Sequence, residues 1–165
     1  MHISGSFIQI FMKNIIIMGA WHLLVLFTCI YINKKLFNPN RRMYKPYKWE
    51  KNGLWYKKHL HINKWKDLLP QHIGKDGFSK EHLISVTPEY FDEFIMETCR
   101  AEWNHTLSCL CIIFTFILNS FWTALCLSII PLICNLPFIA IQRYNRFRLQ
   151  ILKSKIIKRN DIKCG

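Results

Sequence analysis

The sequence predicts an all-α membrane protein: three transmembrane helices, with a basic, aromatic segment at the interface or in the cytosol. Three observations lead to that class. Thr106 to Ile141 contains no charged residue, Ile15 to Ile32 is a second apolar run of eighteen residues, and the remainder is basic, with 23 Lys+Arg against 10 Asp+Glu. A chain of 165 residues offers no core large enough for such runs, so hydrocarbon is their expected solvent. A formal net charge of +13 could suit nucleic acid, but soluble nucleic-acid binders rarely carry long uncharged apolar stretches, and membrane lipid is the expected partner. The seven cysteines include no C-x-x-C pair, which supports neither a disulfide framework nor a zinc site.

Ile15–Ile32 just spans a bilayer and ends at Asn33-Lys34-Lys35. It lacks a small-residue cleavage pattern, so it reads as an uncleaved anchor rather than a signal peptide. His22 inside it reads as a packed or interfacial histidine. From Asn33 to Met96 thirteen Lys+Arg interleave with Trp49, Trp55, Tyr56 and Trp65, a mixture suited to headgroups and anionic lipid. Leu54 to Leu60 is expected as a short interfacial helix after a start broken by Pro39, Pro46 and Gly53. Pro70, Gly74 and Gly77 mark a loop. Trp65, Lys66 and Asp67 fit either substrate contact or a plain membrane-hugging loop.

Thr87-Pro88-Glu89 signals a helix start: a threonine cap, proline at the first helical position, and Glu89, Asp92 and Glu93 at the positive end of the dipole. No breaker follows before Asn119, so a single helix on the order of 45 Å long is expected, its first part outside the hydrocarbon. Thr106–Leu118 supplies only thirteen apolar residues, so the membrane must take in part of the Arg100–His105 turns as well. Asn119-Ser120 is the expected hairpin turn, and a last span runs from Phe121 to about Ile141, kinked at Pro131 and Pro137. Thirteen Lys+Arg follow the first span and eight more lie from Arg143 onward, predicting an outside N terminus and an inside C terminus. The expected divisions are residues 1–33 (first span), 34–96 (basic aromatic segment), 97–141 (long helix and hairpin) and 142–165 (basic tail). A multi-pass protein of the cell membrane follows.

Polar side chains at membrane depth are expensive and by default functional. On one helix Glu102 and His105 are three apart, as are Glu97 and Arg100. A carboxylate beside an imidazole can set its tautomer and raise its basicity, as a general base requires, although a snorkelling interface with a local ion pair has the same spacing. Asn135, between the two prolines, either satisfies freed carbonyls or faces the first polar block. Arg143 and Arg146 share one face of the last block and Tyr144 and Arg148 another; arginine forks there suit phosphate or carboxylate, and equally mark topology.

Taken together, Arg100-Ala101-Glu102-x-x-His105, Asn135-x-Pro137 and Gln142-Arg143-Tyr144-Asn145-Arg146-x-Arg148-Leu149, preceded by Glu50-x-x-Gly53 and Trp65-Lys66, resemble the glycosyl-4,4'-diaponeurosporenoate acyltransferase family from about Glu50 to Leu149. That resemblance implies the last step of staphyloxanthin-type carotenoid synthesis, esterification of a fatty acyl group onto the glucose 6-hydroxyl of a glycosylated carotenoid. Joined to the chemistry above, it makes His105 the base, oriented by Glu102. Arg143, Arg146 and Arg148 would hold the phosphates of an acyl-CoA-like co-substrate or the oxyanion. Glu97, Arg100, Asn135, Gln142, Tyr144, Asn145 and the Trp65-Lys66-Asp67 stretch are the further substrate-contacting candidates. No cofactor or metal is expected. The acid, the imidazole and the guanidinium cluster are expected to meet at the inner lipid boundary. Two rival readings are a non-enzymatic membrane scaffold and a different intramembrane enzyme, for instance one using Glu97, Glu102 and His105 as metal ligands.

Overall fold

The structure, a computed structural model, describes residues 6–69 and 87–164. The loop expected around Pro70, Gly74 and Gly77 lies outside the described residues. Within them the protein is helical: α1 spans Phe7–Tyr31, α2 Leu54–His59, α3 Pro88–Cys109, α4 Ile112–Leu118 and α5 Phe121–Cys164, with short 3₁₀ turns between α1 and α3. Three stretches, Phe7–Tyr31, Pro88–Leu118 and Phe121–Ile162, are long and apolar enough to cross a membrane. The chain forms two compact units, one of residues 1–36 and 100–139, the other of residues 37–99 and 140–165.

The first unit has an apolar exterior and a partly polar interior, the inverse of a water-soluble bundle. Phe7, Leu23, Phe27, Ile117, Trp122 and Ile133 are exposed, whereas Asn14, Ser108, Thr115, Asn119, Ser128 and Asn135 are buried. Hydrocarbon imposes this arrangement, because a side-chain amide or hydroxyl turned towards lipid has no partner. Asn14 on α1 and Asn119 bond each other reciprocally, at 3.1 and 2.9 Å. Thr115 and Ser128 form a second polar contact at 3.0 Å. Asn119 also caps α4 by donating to the Thr115 carbonyl at 2.9 Å, so the expected turn at Asn119-Ser120 is in place.

Two expectations for the helices need correction. The helix begun at Pro88 is capped by Thr87, whose hydroxyl accepts the Tyr90 amide at 3.3 Å, but it does not run unbroken to the turn. At Leu110–Cys111 the bonding tightens: Leu110 N–H donates to the Leu107 carbonyl and Cys111 N–H to Ser108, three residues back instead of four. The cause is tertiary. The indole N–H of Trp21 donates to the Leu107 carbonyl at 2.9 Å, taking up the acceptor that Cys111 would use in a regular helix. Nor does the last helix stop near Ile141; it continues to Cys164 through both prolines. Beyond the apolar run its buried stripe, Arg143, Tyr144, Arg146, Phe147 and Leu149, recurs at helical spacing and packs within the second unit.

That second unit centres on Tyr56, Ile62, Ile141, Tyr144 and Phe147, with Trp55 and Trp65 against them. A neighbouring cluster joins Phe91, Phe94 and Ile95 of α3 to Leu149 of α5. The helix expected at Leu54–Leu60 is α2, and its entry is a left-handed turn: Lys51, Asn52 and Gly53 have φ of 47, 53 and 93°. Gly53 is required by that φ, while a Cβ there would meet the Tyr144 ring at 3.4 Å and Phe147 at 3.6 Å in ordinary van der Waals contact. Gly53→Ala is therefore expected to lower stability by about 1–2 kcal/mol, read as a drop in the thermal midpoint of the detergent-solubilised protein. An unchanged midpoint would contradict this account of the turn.

Candidate active site

In the first unit the side chain at the centre is Asn135, held on α5 four residues after Pro131. Its Nδ2 donates to the Pro131 carbonyl at 2.9 Å and lies 3.2 Å from His22 Nε2 of α1. Its Oδ1 lies 3.0 Å from His105 Nδ1 of α3. His22 Nδ1 in turn lies 2.8 Å from the Met18 carbonyl one turn back. The His105 ring stacks on Phe138, centroids 4.7 Å apart and planes inclined by 9°. Of the sequence candidates, the structure therefore joins His105 and Asn135 directly. Glu102 is buried at 7% exposure on the same helix as His105, and its carbonyl accepts the Thr106 hydroxyl at 2.7 Å. Arg100 lies in the same unit, its carbonyl accepting the Cys29 thiol at 3.8 Å. His22, expected as a packed or interfacial histidine, belongs to this chain of hydrogen bonds. The available signal was the cost of any imidazole within an apolar span.

In the second unit the organising contact is a buried ion pair that helical spacing could not reveal. Arg143 donates from Nε to Glu50 Oε1 at 2.6 Å and from Nη2 to Oε2 at 2.7 Å, a two-pronged fork. Its remaining donors reach the carbonyls of Met43 at 3.0 Å and Lys45 at 3.1 Å. The Glu50 carboxylate also accepts the Tyr56 hydroxyl and the Tyr47 amide. Burial pushes the Glu50 carboxyl up, but the Arg143 fork, the Tyr56 hydroxyl and the Tyr47 amide outweigh it and hold the group below the usual glutamate range. Tyr56 is pushed up, first by burial and then by the adjacent carboxylate.

Arg146 is fully buried; its Nε donates to the Tyr44 carbonyl at 3.1 Å and its Nη1 to Cys99 Sγ at 3.7 Å. Tyr144 donates to Asn63 Oδ1 at 2.7 Å, and exposed Arg148 stacks over the Tyr144 ring at 5.5 Å. Gln142 and Asn145 are half-buried beside them, and Glu97 is buried in this unit. Trp65 donates its indole N–H to the Leu60 carbonyl at 2.8 Å while packing on the Tyr56 cluster. Lys66 and Asp67 form an ion pair with each other. An open groove of about 530 Å³ is lined by Lys51, Leu54, Trp55, Lys57, Lys58, His59 and His61. Among the described residues no three His, Cys, Asp or Glu side chains gather as metal ligands.

These features define an all-α membrane protein with an asparagine-bridged histidine pair inside its helical unit and a buried Glu–Arg clamp in the other. By sequence comparison the chain belongs to the glycosyl-4,4'-diaponeurosporenoate acyltransferase family, whose model it matches over residues 40–155. It is similar to the glycosyl-4,4'-diaponeurosporenoate acyltransferase of Staphylococcus aureus strain bovine RF122 / ET3-1, 31% identical over 138 residues and covering 78% of each chain. It is 33% identical over 131 residues to that of strain N315, again covering 78% of each. No solved structure matches the chain. It is thus an enzyme, an acyltransferase.

Because the folded pKa of Glu50 is depressed, the clamp stabilises the fold above the ordinary glutamate pKa, and that stabilisation is lost as pH falls through the folded value. The thermal midpoint should therefore fall on acidification below the usual carboxylate range, and fall less in Glu50→Gln. At neutral pH Glu50→Ala, which strands a buried guanidinium, should cost about 3–5 kcal/mol. A Glu50→Ala protein as stable as the parent would refute the clamp.

Proposed function

We propose that this acyltransferase esterifies a fatty acyl group onto the glucose 6-hydroxyl of a glycosyl-4,4'-diaponeurosporenoate-like acceptor, the last step of a staphyloxanthin-type pathway. The observation that carries the catalytic assignment is the 3.0 Å contact between His105 Nδ1 and Asn135 Oδ1. An imidazole held by one nitrogen presents the other for proton transfer. His105 takes the hydroxyl proton as the sugar oxygen attacks a thioester carbonyl, and returns it to the departing thiolate. The acyl donor is a coenzyme-A-like thioester, and no metal or organic cofactor takes part.

The basic groove of the second unit and exposed Arg148 are the places where donor phosphates are met, since charge-assisted bonds from Lys and Arg suit them. Arg143 and Arg146 act in this reading by holding the interfacial segment through Glu50 and the Tyr44 carbonyl. The enzyme sits as a multi-pass protein in the cell membrane, N terminus out and C terminus in, so that acyl chain and polyene remain in the bilayer and the polar headgroups meet the enzyme on the cytosolic side.

In membranes carrying His105→Ala, turnover of glycosyl carotenoid should drop by about 10²–10⁴-fold, the usual range for losing a general base; full acyl transfer by this variant would refute the assignment. Lys57→Gln combined with Lys58→Gln should raise the donor KM about tenfold with kcat retained, the loss of roughly 1.4 kcal/mol of binding. Unchanged donor saturation would place the phosphates elsewhere.

A further inference from the structure

His22 lies on α1, outside the residues 40–155 that match the family model. The hydrogen bonds around it nevertheless have one consistent proton assignment. A carbonyl oxygen can only accept, so the Asn135 atom 2.9 Å from the Pro131 carbonyl must be the amide nitrogen. The other atom of that amide, 3.0 Å from His105 Nδ1, is then the oxygen, and His105 must carry its hydrogen on Nδ1. By the same logic the Met18 carbonyl, 2.8 Å from His22 Nδ1, places that ring's hydrogen on Nδ1. His22 Nε2 therefore holds a lone pair and accepts the second Asn135 amide hydrogen at 3.2 Å. Reversing the amide would set its oxygen against both the Pro131 carbonyl and the lone pair of His22 Nε2. A proton on His22 Nε2 would face the amide N–H. Asn135 is 4% exposed and its amide has partners at both ends, so the chain Met18–His22–Asn135–His105 has a direction.

From that direction we infer that His22 is a positioning residue for acyl transfer: through Asn135 it holds His105 in the Nδ1–H tautomer, which leaves Nε2 as the nitrogen that takes the acceptor hydroxyl proton. The inference rests on the reading of His105 as the base. In the step itself the hydroxyl O–H bond breaks and its proton goes to Nε2. The oxygen bonds to the thioester carbonyl carbon, the C–S bond then breaks, and the Nε2 proton passes to the thiolate, giving ester and free thiol. Asn135 Oδ1 faces the Nδ1–H throughout, so the positive charge that develops on the ring meets the negative end of a fixed amide dipole. An asparagine plays this orienting part in cysteine–histidine–asparagine triads. The Phe138 stack fixes the plane of the ring, and the Pro131 carbonyl and His22 together fix the rotation of the amide.

The test uses the full chain in detergent with ¹⁵N-labelled histidine, His105 being assigned by its loss in His105→Gln. In the parent, the His105 ring should show a protonated Nδ1 and an unprotonated Nε2. His22→Phe, which keeps the ring volume but removes the acceptor, should mix the two His105 tautomers and lower kcat about tenfold or more, with both KM values within about twofold. His22→Gln, whose side-chain oxygen can take the same amide hydrogen, should restore the tautomer and most of kcat. A parent protein with His105 protonated on Nε2 would overturn the inference without any variant, as would a His22→Phe protein with parental tautomer and kcat. Equal losses in His22→Phe and His22→Gln, with the tautomer unmoved, would overturn it in favour of plain packing. An active His105→Ala enzyme would instead remove the base assignment, a result distinguishable because the ring spectra do not depend on turnover.

Discussion

A polar group that is taken out of water must find its partner within the protein, and both units are built on that requirement. In the first, hydrocarbon is the outer solvent and the inward-facing amides, hydroxyls and imidazoles pair across helices: Asn14 with Asn119, Thr115 with Ser128, and His22 through Asn135 with His105. Apolar contacts between helices discriminate little when the surrounding lipid is equally apolar, so such polar pairs are the more selective guide to which faces meet. The same pairs that set helix packing also set the proton positions on the imidazole of His105.

The second unit meets the requirement with charge. Arg143 and Glu50, both buried, neutralise each other through a two-pronged contact, and the surplus donors and acceptors are taken up by the Met43 and Lys45 carbonyls, the Tyr47 amide and the Tyr56 hydroxyl. A buried ion pair adds little stability over a well-packed apolar substitute; its effect here is to specify one arrangement of a segment otherwise made of short turns. Around the clamp, the guanidinium groups of Arg143 and Arg146 lie against the rings of Tyr47, Tyr44 and Phe147. The acidic partner of a basic protein's key arginine is thus one of only 10 carboxylates in the chain.

Several elements were legible because their causes are local. Thr87-Pro88 starts α3 since a hydroxyl can cap an amide three residues on and proline has no N–H to lose there. Asn119-Ser120 turns the chain, Leu54 begins a short helix after Gly53, and three apolar runs are long enough to cross a bilayer. The pairing of Asn135 with His105 was one of two roles its position between prolines allowed. The break after Cys109 was not legible, because it is produced by an indole eighty-six residues away in sequence. Nor was the continuation of α5 to Cys164, where a stretch of tail-like basic composition becomes one face of a packed helix. The partner of Arg143 was equally hidden, lying ninety-three residues earlier.

The solvent of each segment, the number of long apolar helices and the family could be read from the chain alone, since these depend on composition, run length and the order of short motifs. Tertiary structure alone decided which polar side chains face one another: that His22 of the first helix stands behind Asn135, and that Glu50 receives Arg143. The physical reason is that a hydrogen bond is directional and reaches only about 3 Å, so which side chains share it depends on how helices are rotated about their axes. That rotation is set jointly by all the helices in contact, and no single stretch of sequence encodes it.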